Sequence, residues 1–241
     1  MKDEDIERVL GKAKPAPSEL DEALRARIAA SIPTPLQPVR PLPRTWILTS
    51  GLVLICAAVG LAGAARAGFY GIEKLGPWAA LPVLAALGLL AWLAGEKLVA
   101  EMIPGRVHAL SPGGLLLIMS AVLLAVFAFS FTDYHTDHFL SAGLTCLLTG
   151  VLHAIPAAVL VCSLLRRGFA VSSISAGLVA GALAGLAGVT MLELHCSNFQ
   201  ALHVLVWHTA VVPVSAAVGA AVGWALRIGP GARSRTRSRV S

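Results

Sequence analysis

The chain has 241 residues, of which 56% are hydrophobic and 13% are charged, about half the charged share of a soluble protein. Of its 32 Lys, Arg, Asp and Glu residues, 15 lie in the first 44 positions and five follow residue 225, so the long middle lacks the charged coat of a water-facing globule. These figures exclude a sizeable cytoplasmic catalytic domain and indicate an integral membrane protein. The net charge of +6 does not indicate nucleic-acid binding, because no segment is long enough for a common binding module.

Residues 1–32 form two short amphipathic segments, each with acids in its first turn, where they suit the helix dipole. Residues 33–44 contain five prolines and predict a stiff linker. Two such helices cannot bury a core alone, so we expect them to dock on a partner in preference to the alternative, the lipid surface. The apolar residues that would make this contact recur at helical spacing: Ile6, Val9, Leu10, Leu20, Leu24 and Ile28.

Six apolar runs of about 20 residues, the length that crosses a hydrocarbon core, predict membrane-spanning helices. They cover residues 45–65, 77–95, 113–131, 140–165, 170–192 and 202–226. The predicted fold is therefore all-α, a polytopic bundle of six transmembrane helices over residues 45–226. Small residues at every fourth position in the last two spans indicate close helix packing within the bundle. Residues 227–241 form a basic tail that we expect to be disordered.

The distribution of basic residues predicts the orientation in the membrane. Seventeen of the 19 Lys and Arg residues lie in the leader, the tail and the two loops on the same side as both termini. Loops rich in Lys and Arg stay in the cytoplasm. We therefore predict cytoplasmic amino and carboxyl termini, with the stretch from Thr132 to Phe139 on the outer side.

Thiols and imidazoles gather at this predicted outer side. Such soft ligands suit zinc, copper or other thiophilic ions, although an ordinary wetted polar loop would also contain them. Cys146 lies about 10 Å inside the fourth span, so its contact with Cys196 requires the connection before the sixth span to dip inward. The candidate metal ligands are His135, His138, His195, Cys196 and His203.

The sequence has no Cys-x-x-Cys pair, phosphate-binding loop, Gly-x-Ser-x-Gly elbow or His-Glu-x-x-His motif. Intramembrane carboxylates are nearly absent, with Glu193 only at a boundary, which disfavours a coupled transporter. His153 and His208 differ in predicted depth by about 12 Å, which disfavours bis-histidine haem. We expect no enzymatic activity and no cofactor, with a soft-metal ion only as a signal. The alternatives are a histidine-rich membrane oxidoreductase or haem protein and a small-solute permease.

Three motifs in the second half carry a family resemblance. Residues 164–168 are Leu-Leu-Arg-Arg-Gly before a glycine-rich span, residues 194–196 are Leu-His-Cys, and residues 206–208 are Val-Trp-His. Together with the six spans, they resemble the NrsF-type bacterial membrane anti-sigma factors, negative regulators of an extracytoplasmic-function sigma factor. The resemblance implies an inner-membrane protein of the stress response whose cytoplasmic leader holds the sigma factor inactive.

The resemblance also implies roles for individual residues. Cys146 and Cys196 match a cysteine pair that responds to the signal, which would be an envelope, oxidative or metal stimulus. His195, Trp207 and His208 match the pattern around that pair. The leader has no recognisable motif, so its assignment to sigma-factor binding rests on amphipathicity and family position. It also lacks the His-x-x-x-Cys-x-x-Cys element of zinc-containing soluble anti-sigma domains, which excludes that subclass.

Overall fold

The structure, a computed structural model, describes residues 26–27, 43–103, 105–106, 109–165 and 172–228. The apolar residues of the leader, most of the linker over 33–44 and the tail after residue 228 lie outside these ranges. The docking helices, the linker and the disordered tail therefore stay predictions.

The described residues from Pro43 onward form a helical bundle. In chain order its helices are α1 (Thr45–Ala67), the short α2 (Tyr70–Lys74), α3 (Pro77–Met102), α4 (Pro112–Ser130), α5 (Phe139–Leu165), α6 (Ser173–His195), α7 (Ala201–His203), a π-helical turn (Val204–His208) and α8 (Thr209–Ile228). The last three are continuous and form one span. Six helices in this part of the chain are long and apolar enough to cross a membrane, so the predicted all-α bundle of six spans is confirmed.

Helix α3 is longer than its sequence predicted. We expected the second span to end at about residue 95, whereas the helix continues to Met102. An ion pair one helical turn apart stabilises this extension, with Nζ of Lys97 2.8 Å from Oε1 of Glu101. The two side chains are only 8% and 14% exposed. Because their charges compensate each other, this polar turn stays helical and packs against the bundle.

Helix α6 is the centre of the bundle. Its most apolar stretch is 72% buried, compared with 22–44% for the other five spans. Small residues allow this burial: Gly181 faces the backbone of Ser215 in α8, and Gly188 faces the carbonyl of Gly150 in α5. The repeated small residues therefore bring helices of one chain into backbone contact, as their spacing predicted.

Three connections meet at the end of the bundle opposite Thr45, where α1 begins, and Ile228, where α8 ends: residues 68–76, 131–138 and 196–200. We call this the loop end. The ring of Phe131 stacks on that of Phe199 at 5.4 Å between centroids, and the amide of Ala201 donates to the carbonyl of Asp133 at 2.5 Å. These contacts fix the entrance to the sixth span, where the candidate site lies.

Candidate functional site

Four side chains meet just inside the loop end, three from the fourth and sixth spans and one from the residue that follows the fifth span: Cys146, Cys196, His203 and His208. One nitrogen or sulfur atom of each lies within 4.8 Å of the corresponding atoms of the other three. The two Sγ atoms are 3.6 Å apart, and Sγ of Cys196 lies 3.9 Å from Nε2 of His203. We call these four residues the thiol–imidazole cluster.

The cysteines meet because two helices begin and end at different depths. Cys146 lies seven residues into α5, about 10 Å below its first residue, while Cys196 directly follows the last residue of α6. The amide of Cys196 donates to the carbonyl of Leu192 at 2.7 Å and closes that helix end. The connection after α6 therefore dips inward, which the sequence argument required for such a contact. Both cysteines are free thiols.

The histidines meet because the sixth span is not a regular α-helix at this point. Residues five apart, such as His203 and His208, lie about 140° apart around an α-helix. The π-helical turn over Val204–His208 makes bonds between residues i and i+5 and brings the two rings to one face. Their centroids are 5.4 Å apart, with the rings in an edge-on arrangement. Single π-helical turns are frequent at functional sites.

A carboxylate supports the cluster from behind. Nδ1 of His208 donates to Oε1 of Glu193 at 2.6 Å, and the side chains are 0% and 1% exposed. Sequence reasoning placed Glu193 at a membrane boundary and gave it no role. It does lie at that boundary, in the last turn of α6, but its side chain is buried inside the bundle. The available signal was its spacing of three residues from Cys196, which places the two on one side of a helical turn.

The cluster leaves specific atoms without a partner. Nε2 of His208, Nδ1 of His203 and Oε2 of Glu193 are buried and make no hydrogen bond among the described residues. Buried polar atoms are normally satisfied, so unsatisfied ones indicate strain, chemistry or a ligand. Two such atoms in the cluster and a third on Glu193 beside it point to a functional centre.

Cys196 lies outside the spanning helices, and its surroundings keep its thiol protonated. Its hydrogen bond to Cys146 and its burial both raise the pKa of the thiol above the usual value, while His203 and His208 act in the opposite direction. The raised pKa means that Cys196 is a thiol at neutral pH. An oxidant or a metal ion that reacts there must displace this proton.

Two residues matched by the family resemblance lie beside the cluster. Nδ1 of His195 donates to the carbonyl of Gly68 at 3.0 Å, and its ring packs on Tyr70. The ring of Trp207 packs on that of Phe139, the first residue of α5, with ring centroids 5.5 Å apart. His195 therefore joins the fifth span to the loop end and Trp207 joins the sixth span to the fourth, and neither is among the four residues of the cluster.

The cluster shares only Cys196 and His203 with the metal ligands predicted from the sequence. The structure does not bring His135, His138 and His195 to it. The first is exposed and paired with its neighbour Asp133, the second is exposed at the loop end, and the third is bonded to α1–α2 backbone. The predicted and observed ligand sets differ because the sequence shows which residues lie near the outer side but not which of their side chains point into the bundle.

His153 also lies apart from the cluster. Its Nδ1 donates to the carbonyl of Thr149 at 2.8 Å, one turn earlier in α5. Its ring packs so closely on Gly63 of α1 that a Cβ there would lie 2.7 Å from Cδ2. His153 therefore packs against the first span, whereas His208 is bonded to Glu193. The two histidines do not face each other, which agrees with the argument from helix depth against a haem held by both.

His135 and Asp133 form an exposed pair at the loop end. Nδ1 of the histidine donates to Oδ1 of the aspartate at 2.6 Å. This hydrogen bond raises the pKa of His135 and lowers the pKa of Asp133. The raised pKa gives a stabilisation that is lost as pH rises through the folded-state pKa of the histidine. The lowered pKa gives one that is lost as pH falls through that of the aspartate. The pair therefore stabilises the loop between these two pKa values.

Asp133→Asn is expected to lower the pKa of His135 toward about 6.5, the value of an unperturbed histidine. An NMR titration of the ¹³C-labelled histidine rings measures it, with the His135 signal assigned by its loss in His135→Gln. Asp137→Asn is the control and should lower the pKa less, because Asp137 acts only through its charge. An unchanged midpoint in Asp133→Asn would show that the pair does not form in solution.

The fold and the cluster define a polytopic α-helical membrane protein with a buried thiol–imidazole centre. Residues 32–227 match the NrsF family, described as negative regulator of sigma F. The chain therefore belongs to this family, and the resemblance carried by its motifs is confirmed. The family name implies a sigma factor as the partner. The matched range contains the whole cluster, and residues 1–31 precede it. No curated protein and no solved structure matches the chain.

Proposed function

We propose that the protein is a non-enzymatic anti-sigma factor of the bacterial inner membrane. Its cytoplasmic leader sequesters an extracytoplasmic-function sigma factor and releases it when a signal reaches Cys146 and Cys196. The observation that carries this proposal is the family match over residues 32–227, which joins a negative regulator of a sigma factor to a six-span bundle.

The charge distribution supports the proposed orientation. The leader carries eight Lys and Arg residues, and only two of the chain's 19 lie in the loops on the opposite side. With the basic side in the cytoplasm, the loop end faces outward. The thiol–imidazole cluster then lies where an oxidant or a soft-metal ion from the envelope can reach it, while the leader lies where the sigma factor is.

Packing supports a route from the cluster to the cytoplasmic side. Cys146, Cys196 and His208 belong to α5, the end of α6 and the sixth span, and α6 touches both neighbours through glycine contacts along its length. A chemical change that draws these three residues together repacks the helices that carry them. Release requires only that the signal favour the released state, and tenfold release needs about 1.4 kcal/mol of differential affinity.

Leader variants test the partner. In Leu20→Asp/Leu24→Asp we expect at least tenfold less sigma factor to co-purify with the full-length protein, because two charges replace the apolar stripe that would dock. The measurement is quantitative mass spectrometry of proteins bound to the tagged, detergent-solubilised chain. Leu36→Asp/Leu42→Asp, in the linker, carries the same change and should retain the sigma factor. Recovery of no sigma factor by the unaltered chain would refute the proposed function.

Serine variants test the sensor. Cys146→Ser/Cys196→Ser should insert into the membrane normally and keep the sigma factor repressed, because serine neither forms disulfides nor binds soft metals well. A sigma-dependent reporter in cells treated with oxidant or metal measures this, and we expect induction to fall to the untreated level. Cys162→Ser, in α5 outside the cluster, should induce normally. Full induction in the double variant would remove the sensor role.

A further inference from the structure

We propose that the thiol–imidazole cluster is a four-coordinate site for one d¹⁰ metal ion, Cu(I) or Zn(II). Cys146, Cys196, His203 and His208 are its ligands, and Glu193 is a positioning residue that orients His208. The inference rests on the proposed function, because it names the ligand of the same signal-responsive site. It differs from a response by the two thiols alone, because it requires both histidines and the carboxylate.

The spacing of the four ligand atoms fits a tetrahedral ion. Zinc lies about 2.3 Å from thiolate sulfur and about 2.0–2.1 Å from imidazole nitrogen, which sets tetrahedral edges of about 3.8 Å between sulfurs and about 3.5 Å between sulfur and nitrogen. The observed distances are 3.6 Å between the sulfurs and 3.9 Å from Cys196 to His203, with all four atoms within 4.8 Å. An ion fits at the centre after shifts of an ångström or less.

His208 is prepared for metal binding by the bond to its other nitrogen. Nδ1 donates to Glu193, so the tautomer that presents a lone pair at Nε2 is the one this bond favours. Nε2 is buried without a partner, and the whole side chain is inaccessible to solvent. A carboxylate behind a ligating histidine is the usual outer arrangement of protein metal sites. The proposed role in orienting His208 therefore explains why the carboxylate of Glu193 is buried.

The ligand types select the class of ion. Two sulfurs and two imidazoles prefer Zn(II) and Cu(I), whereas Mg²⁺, Ca²⁺ and Mn²⁺ prefer oxygen ligands. When a Zn(II) ion binds, the two thiol protons leave to water, so two negative charges form as two positive charges enter. With Cu(I), the same two protons leave and one negative charge remains on the site. Neither step involves oxidation or reduction.

Metal binding would act on three parts of the bundle at once. The ligands come from α5, from the residue after α6 and from the π-helical turn of the sixth span. One ion tied to all three fixes their relative positions at the loop end. This is a more constrained outcome than a bond between two thiols, because it also fixes the turn that precedes α8.

Binding by the purified protein tests the site. Full-length protein, reduced and metal-free in detergent, is mixed with Zn²⁺ alone or, without oxygen, with Cu(I) alone. We expect one ion per chain, and for zinc an X-ray absorption spectrum with two sulfur neighbours at about 2.3 Å and two nitrogens at about 2.0–2.1 Å. This spectrum needs no variant, so misfolding cannot produce a false negative. Less than half an ion per chain with both metals, or a first shell without sulfur, would overturn the site.

Variants test the individual roles. His203→Gln and His208→Gln should each weaken binding at least tenfold in competition with a chelator, and Glu193→Gln should weaken it about 10–100-fold, the range for residues that orient a ligand. His138→Gln and Cys162→Ser lie outside the cluster and should bind like the unaltered chain. Unchanged affinity in both His203→Gln and His208→Gln would overturn the four-ligand site.

The two proposals fail separately. If no ion binds but Cys146→Ser/Cys196→Ser still loses induction, the metal site is overturned and the sensor role stands. If the ion binds with the expected first shell but the double variant induces normally, the metal site stands and its function as the sensor is overturned. The binding assay and the reporter assay thus give independent answers.

Discussion

Gly181→Leu is expected to prevent the bundle from assembling. A Cβ at this position would lie 2.9 Å from the carbonyl carbon of Ser215 and 3.0 Å from Cα of Ala216. Both atoms belong to the backbone of α8, so no side chain can rotate away to make room. The two helices must separate, and we expect a loss of at least about 3 kcal/mol, the upper part of the usual range for overpacked cores. Fluorescence-detected size exclusion should show aggregate in place of a single folded peak.

The matched control is Gly88→Leu. Gly88 also lies inside a spanning helix, but an added Cβ there would meet no atom within 4 Å. We expect an unchanged or slightly higher melting temperature, because leucine has the better helix propensity. The comparison separates the loss of backbone contact from the general effect of adding leucine to a span. A Gly181→Leu protein that elutes and melts like Gly88→Leu would contradict the packing described for α6.

Most of the fold could be predicted because a membrane imposes it. Every backbone polar group in lipid must be satisfied internally, so apolar runs of about 20 residues become helices. The number and order of the spans followed from the apolar runs in the sequence. The end of α3 did not, because charged residues end the apolar run near residue 95, whereas the helix continues with Lys97 and Glu101 paired and shielded by neighbouring helices. That shielding is a property of the assembled bundle and cannot be predicted from the local sequence.

The site was harder to predict than the fold. The pairing of Cys146 with Cys196 came from the family resemblance, and its need for a dipping connection came from helix rise. The inclusion of His208 depended on a π-helical turn, and regular α-periodicity puts it on a different face from His203. The role of Glu193 was missed for another reason. A carboxylate near a predicted membrane boundary is assumed to face water, and only the packing of the sixth span against Glu193 shows that this carboxylate is buried.

Glu193→Ala is expected to destabilise the folded protein by at least about 1–3 kcal/mol, the cost of leaving its buried hydrogen-bond partner unsatisfied. The carboxylate accepts a 2.6 Å hydrogen bond from Nδ1 of His208, and neither side chain has access to water. Alanine leaves that donor unsatisfied at membrane depth and opens a cavity beside it. The thermal midpoint of the detergent-solubilised protein, followed by loss of the folded size-exclusion peak, measures the change.

Glu193→Gln distinguishes a hydrogen-bonding role from a packing role. The amide oxygen of glutamine still accepts from Nδ1 of a neutral His208, and the side chain fills nearly the same volume, so we expect it to recover most of the midpoint lost in Glu193→Ala. Equal midpoints for Glu193→Ala and the unaltered chain would mean that the pair does not hold α6 to the sixth span. In that case the buried carboxylate of Glu193 would contribute nothing to the stability of the bundle.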